Sequence, residues 1–240
     1  RQGGLSQELE GAGQESSPIR LPENLGRFIE REVEKLAEVE QQVLETASVA
    51  GAEFSVAAAA AGLQQSIEAI EETCEALAKR GQFLRGEGLT EWPDGTVGTR
   101  YRFIHALYQE VLYKRIAPGR RIHLHRRIGE RIEAAYGEQT EQMAAELAVH
   151  FDHGREPQRA VAYYQQAGEN ALRRHGYQEA IRHLSLGLEL LRGLPQTREH
   201  VQQEIAFHLS LGVPLLATKG NGAPEVEANY LQARALCEWI

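Results

Sequence analysis

The stretch that most constrains this chain runs from Tyr101 to Tyr113, YRFIHALYQEVLY, where a two-residue alternation gives way to a helical period without a linker. Tyr101 and Phe103 fall on one face of a strand, Leu107, Val111 and Leu112 on one stripe of a helix, and His105 stands at the junction. Any fold must therefore bring a strand end and a helix start to one point. The first N–H groups of a helix lack partners within it and lie at the positive end of its dipole. An imidazole placed there is suited to meeting an anion such as a phosphate. The plainer reading of the same residue is a partly exposed, hydrogen-bonded structural histidine.

The chain upstream is helical. Residues 1–20, RQGGLSQELEGAGQESSPIR, hold few bulky apolar side chains and read as a flexible linker that cannot offset the entropy of ordering. Beyond Leu21-Pro22, a first stripe comprises Phe28, Ile29, Val33 and Leu36, and a second, Val43, Leu44 and Ala47, ends before Gly51. Ser55 is placed to cap a short helix over Val56–Ala61. Ser66 is placed to cap another that buries Ile67, Ile70, Cys74, Leu77 and Ala78 and stops at Gly81. Two short strands follow, over Gln82–Arg85 and Arg100–Ile104, joined by a loop whose tip is Pro93-Asp94-Gly95. Helices, then a β-hairpin, then a further helix is the order of a winged-helix domain, placed over residues 21–116.

Charge argues against DNA as its partner. The helix that would enter a major groove, Ile67–Arg80, carries Glu68, Glu71, Glu72 and Glu75 against Lys79 and Arg80. The chain as a whole has a net charge of -8 and a pI near 5.7, which disfavours nucleic acid and anionic membrane alike. Basic residues do gather between Arg100 and Arg131, with nine Lys or Arg against two acids. The simple reading is a solvated helix face. The functional one is a docking surface beside His105, with Arg100, Arg102, Arg120 and Arg121 as its candidates.

After Pro118 the pattern is helical to the end. Leu124, Ile128, Ile132 and Ala135 line one helix closed by Gly137, and Met143, Ala144, Leu147, Ala148 and Phe151 line the next. Residues 117–155 read as connecting helices. His123, His125, His150 and His153 are expected as surface or interhelical residues without metal, since His123 and His125 point to different faces. Over residues 156–240 small and large residues recur at helical-repeat spacing: Ala167-Gly168, Gly187-Leu188, Leu211-Gly212, then Tyr230. Small residues let helices approach and large ones fill the gap, so this part is expected to be an incomplete tetratricopeptide-like α-solenoid. Pro214 should kink or end the helix it sits in. The stretch ATKGNGAP reads as a long loop.

No apolar run is long enough to span a bilayer, no signal peptide is visible, and Cys74 and Cys237 lack paired-ligand spacing, so a reducing cytoplasm is expected. The chain begins at Arg1 with Met143 as its one methionine, and is expected to be part of a longer protein.

Segments such as LPENLGRFIEREVEKL, VLETASVAGAEF, YRFIHALYQEVLYKRI, HLHRRIGERIEAAY and AVAYYQQAGENAL resemble bacterial STAND-type signalling ATPases, in the part that follows their nucleotide-binding domain. The closer resemblance is to predicted ATPases attached to adenylate or guanylate cyclase domains, and sometimes to Ser/Thr kinase domains. It covers residues 21–240. It implies an upstream P-loop ATPase domain as partner, with ATP or ADP and magnesium held there, because no GxxxxGK[ST] occurs here. In related ATPases an MHD-type motif supplies a histidine to the β-phosphate of ADP; Phe103-x-His105 with Leu107 matches it by type. The usual aspartate is replaced by Ala106.

The reading is thus a mostly α chain, without catalytic residues or cofactor of its own, that regulates an ATP-dependent signal-transduction switch. Its repeats would take an unknown protein or small-molecule ligand, and the output would be cyclic-nucleotide signalling. Two alternatives are part of a maltose-regulator-type transcriptional activator and a peptide-binding repeat scaffold with no nucleotide link.

Overall fold

A computed structural model describes residues 23–239, so the expected linker over residues 1–20 lies outside them. Helices dominate, with one small antiparallel sheet. The first part comprises α1 (Glu23–Glu34), α2 (Glu38–Ala50), β1 (Glu53–Ser55), α3 (Val56–Leu63), α4 (Ile67–Arg80), β2 (Leu84–Glu91), β3 (Val97–Phe103) and α5 (Ala106–Arg115). Then come α6 (Pro118–Tyr136), a 3₁₀ segment (Gly137–Met143), α7 (Ala144–His153), α8 (Pro157–Arg173), α9 (Tyr177–Arg192), α10 (Arg198–Lys219) and α11 (Pro224–Trp239). No helix among the described residues is long and apolar enough to cross a membrane.

Local signals set most boundaries. Ser55 Oγ accepts from the Ala57 N–H at 3.2 Å and Ser66 Oγ from that of Ala69 at 3.3 Å, so both act as N-caps. Ile70, Cys74 and Leu77 recur at i, i+4 and i+7 and are buried, and α4 stops at Gly81 in the left-handed conformation, φ 64°. In α1 the buried residues are Ile29 and Val33, whereas Phe28 is 57 % exposed. Phe28 is about 100° round the helix from Ile29, outside the narrow stripe that meets the core.

The sheet order is β1-β3-β2. Phe54 lies opposite Tyr101 and Leu84 opposite Phe103, and these four side chains form the sheet's buried face. The strands differ from expectation: β2 and β3 run further out, to Glu91 and Val97, and β1 was not anticipated. The outer part of β2 carries Gly86, Gly88 and an exposed Leu89, while opposite it Gly98 lies against Val56 and Ile67 and Trp92 at the tip is buried. Backbone bonds between the two strands and side-chain contacts at the tip sustain this outer hairpin, with a bulge between Gly86 and Gly88. The tip closes as predicted around Gly95, φ 82°, with the Thr96 N–H donated to Asp94 Oδ1 at 2.9 Å.

From α6 onward each helix packs on its neighbour, α6 on α7 and so on to α11. The small residues work as expected: a Cβ on Gly168 would fall 2.5 Å from Leu184, one on Gly187 2.6 Å from Phe207, and one on Gly212 would collide with Tyr230. Pro214 does not end its helix, since α10 continues to Lys219. Phe207 and Leu211 anchor α10 before the proline and Lys219 follows four helical residues after it. The packed flank offsets a defect of about 3 kcal/mol. The ATKGNGAP link is accordingly short, Gly220–Ala223, because Ala217–Lys219 belong to the helix.

Gly187→Ala should lower stability by about 1–3 kcal/mol, because overpacking against Phe207 and the Tyr164 backbone-proximal Cβ outweighs the helix-propensity gain. Gly119→Ala, where a Cβ meets nothing within 4 Å, should be neutral or stabilising. Denaturant midpoints of the two variants check the contrast.

Candidate functional site

Only Ile104 and His105 separate β3 from α5. The Ile104 N–H donates to the Phe83 carbonyl at 3.0 Å, which fixes where the strand ends. His105 is extended, φ -145°, and its Nδ1 accepts the Leu107 N–H at 3.2 Å, so it is the N-cap of α5. An accepting Nδ1 places the ring proton on Nε2. The residue is exposed, its ring set edge-on to Tyr108 at 6.4 Å between centroids. Nε2 has no hydrogen-bond partner among the described residues.

The four arginines proposed around it do not form one unopposed positive field. Arg102 pairs with Glu53 and, at 3.4 Å, with Glu87, and Arg120 pairs with Glu45 at 2.8 Å. Arg121 lies over the Tyr113 ring, 5.0 Å from its centroid, and Arg100 reaches Thr90 Oγ1 at 3.4 Å. Arg100 and Arg102 stand on β3 and Arg120 and Arg121 at the start of α6.

The rest of the basic run pins elements together. Arg126 pairs with Glu156 at 3.0 Å, and Arg127 donates to the Gly62 carbonyl at 3.2 Å, satisfying the end of α3. Arg131 reaches back to the hairpin tip, bonding Asp94 at 2.9 Å and Thr96 at 2.6 Å while lying over Trp92. The Asp94 carboxyl is held below its usual range chiefly by the Thr96 N–H, with Arg131 adding to it.

A second cluster was missed in the sequence. His125 on α6 and His150 on α7 are buried and face each other, Nδ1 to Nδ1 at 3.1 Å, so one proton lies between them. His125 Nε2 meets the Tyr113 hydroxyl at 3.0 Å. His153 stacks on His125 at 4.8 Å, and its Nδ1–H donates to the Val149 carbonyl at 2.9 Å. Of the four histidines, His125 and His150 are interhelical, and His123 and His153 are exposed. Burial lowers His125 to about 3, with His150, His153 and Arg121 adding to it, and lowers His150 to about 4, with His153 adding. The available signal was a glutamate four residues before a histidine: Glu146 and His150 on α7, Glu179 and His183 on α9, Glu204 and His208 on α10. Each pair stands within 4.0 Å, with the histidine buried.

Among the described residues no group of three or more His, Cys, Asp or Glu is arranged to hold a metal. Cys74 is sealed in the core, and burial pushes its thiol up to about 12, so it is no nucleophile. No protein-family model, curated protein or solved structure matches the chain.

The buried pair links stability to pH. Both rings are neutral when folded and would take protons in the unfolded chain below about pH 6.5. Stability is therefore complete above that value and declines as pH falls toward about 4 and about 3. The unfolding free energy should fall by up to about 1.4 kcal/mol per pH unit for each ring, and His125→Gln with His150→Gln should flatten the slope. Denaturant titrations at successive pH values measure it.

Proposed function

We propose that the chain is a regulatory segment of an ATP-dependent signal-transduction switch. A winged-helix unit over residues 21–116 docks on a separate P-loop ATPase domain that holds ATP or ADP and magnesium, and tetratricopeptide-like repeats follow it as a cytoplasmic sensor. The order α2, β1, α3, α4, β2, β3, with β3 central in the sheet, supports the winged-helix part. The successive helix pairs with glycine contacts support the repeats. Glu68, Glu72 and Glu75 on the exposed face of α4 argue against DNA as its partner, and Glu71 is occupied with Thr99.

The observation that carries the reading is His105. Its Nδ1 is spent on the helix start, which leaves Nε2–H as an outward donor beside the positive end of α5. A hydrogen bond from it to an ionised phosphate of ADP contributes about 1.5–3 kcal/mol. Formed only when the nucleotide domain is closed on this unit, it biases closed over open by roughly ten- to more than a hundredfold. Output through an attached cyclase domain would follow from that bias.

In a protein that joins this segment to its ATPase domain, His105→Ala and His105→Ser should both speed ADP release about tenfold or more. Only alanine should also lower stability, by about 1 kcal/mol, because serine keeps the N-cap. Nucleotide release followed by fluorescence, with unchanged rates in both variants, would remove the proposal.

A further inference from the structure

A cavity of about 500 Å³ opens between the last turn of α2, α5, α6 and α7, a size that suits a small-molecule ligand. Val49, Ala50 and Val149 give it apolar walls, and Tyr113 and the three clustered imidazoles supply flat faces and nitrogen atoms. Glu110 and Glu146 complete it, and no lysine or arginine lines it. We infer that this cavity binds a small organic cation, an ammonium group carried on an apolar body.

Three sources of negative potential converge there. Glu146 has no Lys or Arg within 4.0 Å among the described residues; its one close ionisable neighbour is His150. Glu146 also borders the adjoining cavity, which Arg100 lines; burial raises the Glu146 carboxyl, and Arg100 opposes that rise from a distance. Glu110 is already paired with Lys114 at 2.6 Å and contributes less. The third source is the C-terminal end of α2, whose carbonyls carry the negative pole of its dipole and whose last turn holds no basic residue. His125 and His150 bear no charge at neutral pH, so they do not repel a cation, although Arg121 already covers one face of Tyr113 and His153 one face of His125. An anion would meet Glu146 with nothing to compensate it. A neutral apolar ligand would fill the space but gain nothing from Glu146, whose side chain is 44 % exposed.

This inference stands apart from His105: neither residue of that junction lines the cavity, and the outcome of the nucleotide-release experiment does not bear on it. The test is calorimetric titration of the 240-residue chain with phenylethylamine, phenylethanol and phenylpropionate, which share a ring and differ in charge. Saturable binding of the amine, at least tenfold tighter than either of the others, is expected. Glu146→Gln should weaken the amine by about ten- to a hundredfold. Val149→Trp, at a position 39 % exposed on the cavity wall, should block it while circular dichroism shows the fold intact. No saturable amine binding, equal binding of the alcohol or acid, or an amine affinity indifferent to Glu146→Gln would each overturn the assignment.

Discussion

The two cores that hold the first half of this fold meet on α3, a helix of small side chains. Val56, Ala59 and Ala60 enter the core beneath the sheet and α4, while Ala57 and Ala58 enter a second core built by α6, α7 and α8. A helix buried on both faces has no polar stripe to turn outward, so its neighbours must close in from two sides. Alanine permits that approach, because packed helices come within about 8 Å only where the side chains between them are small. Gly62 extends the same seam: a Cβ there would fall 2.6 Å from Thr46 and 3.4 Å from Ile128. The binding energy comes from the large residues that reach across, Leu44 and Ile70 from one side and Ile128 and Phe151 from the other.

What could be read in advance follows from how local each signal is. Caps, stops and apolar stripes act within one turn, and Ser55, Ser66, Gly81 and the Leu124 to Ala135 stripe fell where their chemistry put them. The hairpin tip was legible because an Asp-Gly pair dictates its own turn. β1 was not, since three residues hold no period and exist as a strand only because β3 lends them partners. Pro214 cannot be read from its local rule alone: of a kink or an end, the end does not occur, because contacts made by Phe207 and Leu211 to α9 hold the helix on to Lys219.

The basic run shows the same limit in electrostatic form. In sequence Arg115 to Arg131 is an excess of like charge; in space its members are opposed by Glu45, Glu156, Asp94 and the Gly62 carbonyl. These partners lie between roughly 30 and 75 residues away along the chain, beyond any pattern a window could catch. The histidines divide likewise. His105 announces itself by standing between two periods. His125 and His150 become a pair only because α6 and α7 pack together: His150 is marked in sequence only by the glutamate four residues before it, and His125 by nothing local.

α5 joins the two regions of interest. His105 caps its first turn, and Gln109, Glu110 and Tyr113 on the same helix form part of the cavity wall. From residue 105 to residue 113 the rise along the axis is about 12 Å, too short a rod to flex on its own. Occupant and imidazole therefore share one lever arm: whatever tilts the far end of that rod must re-aim its head.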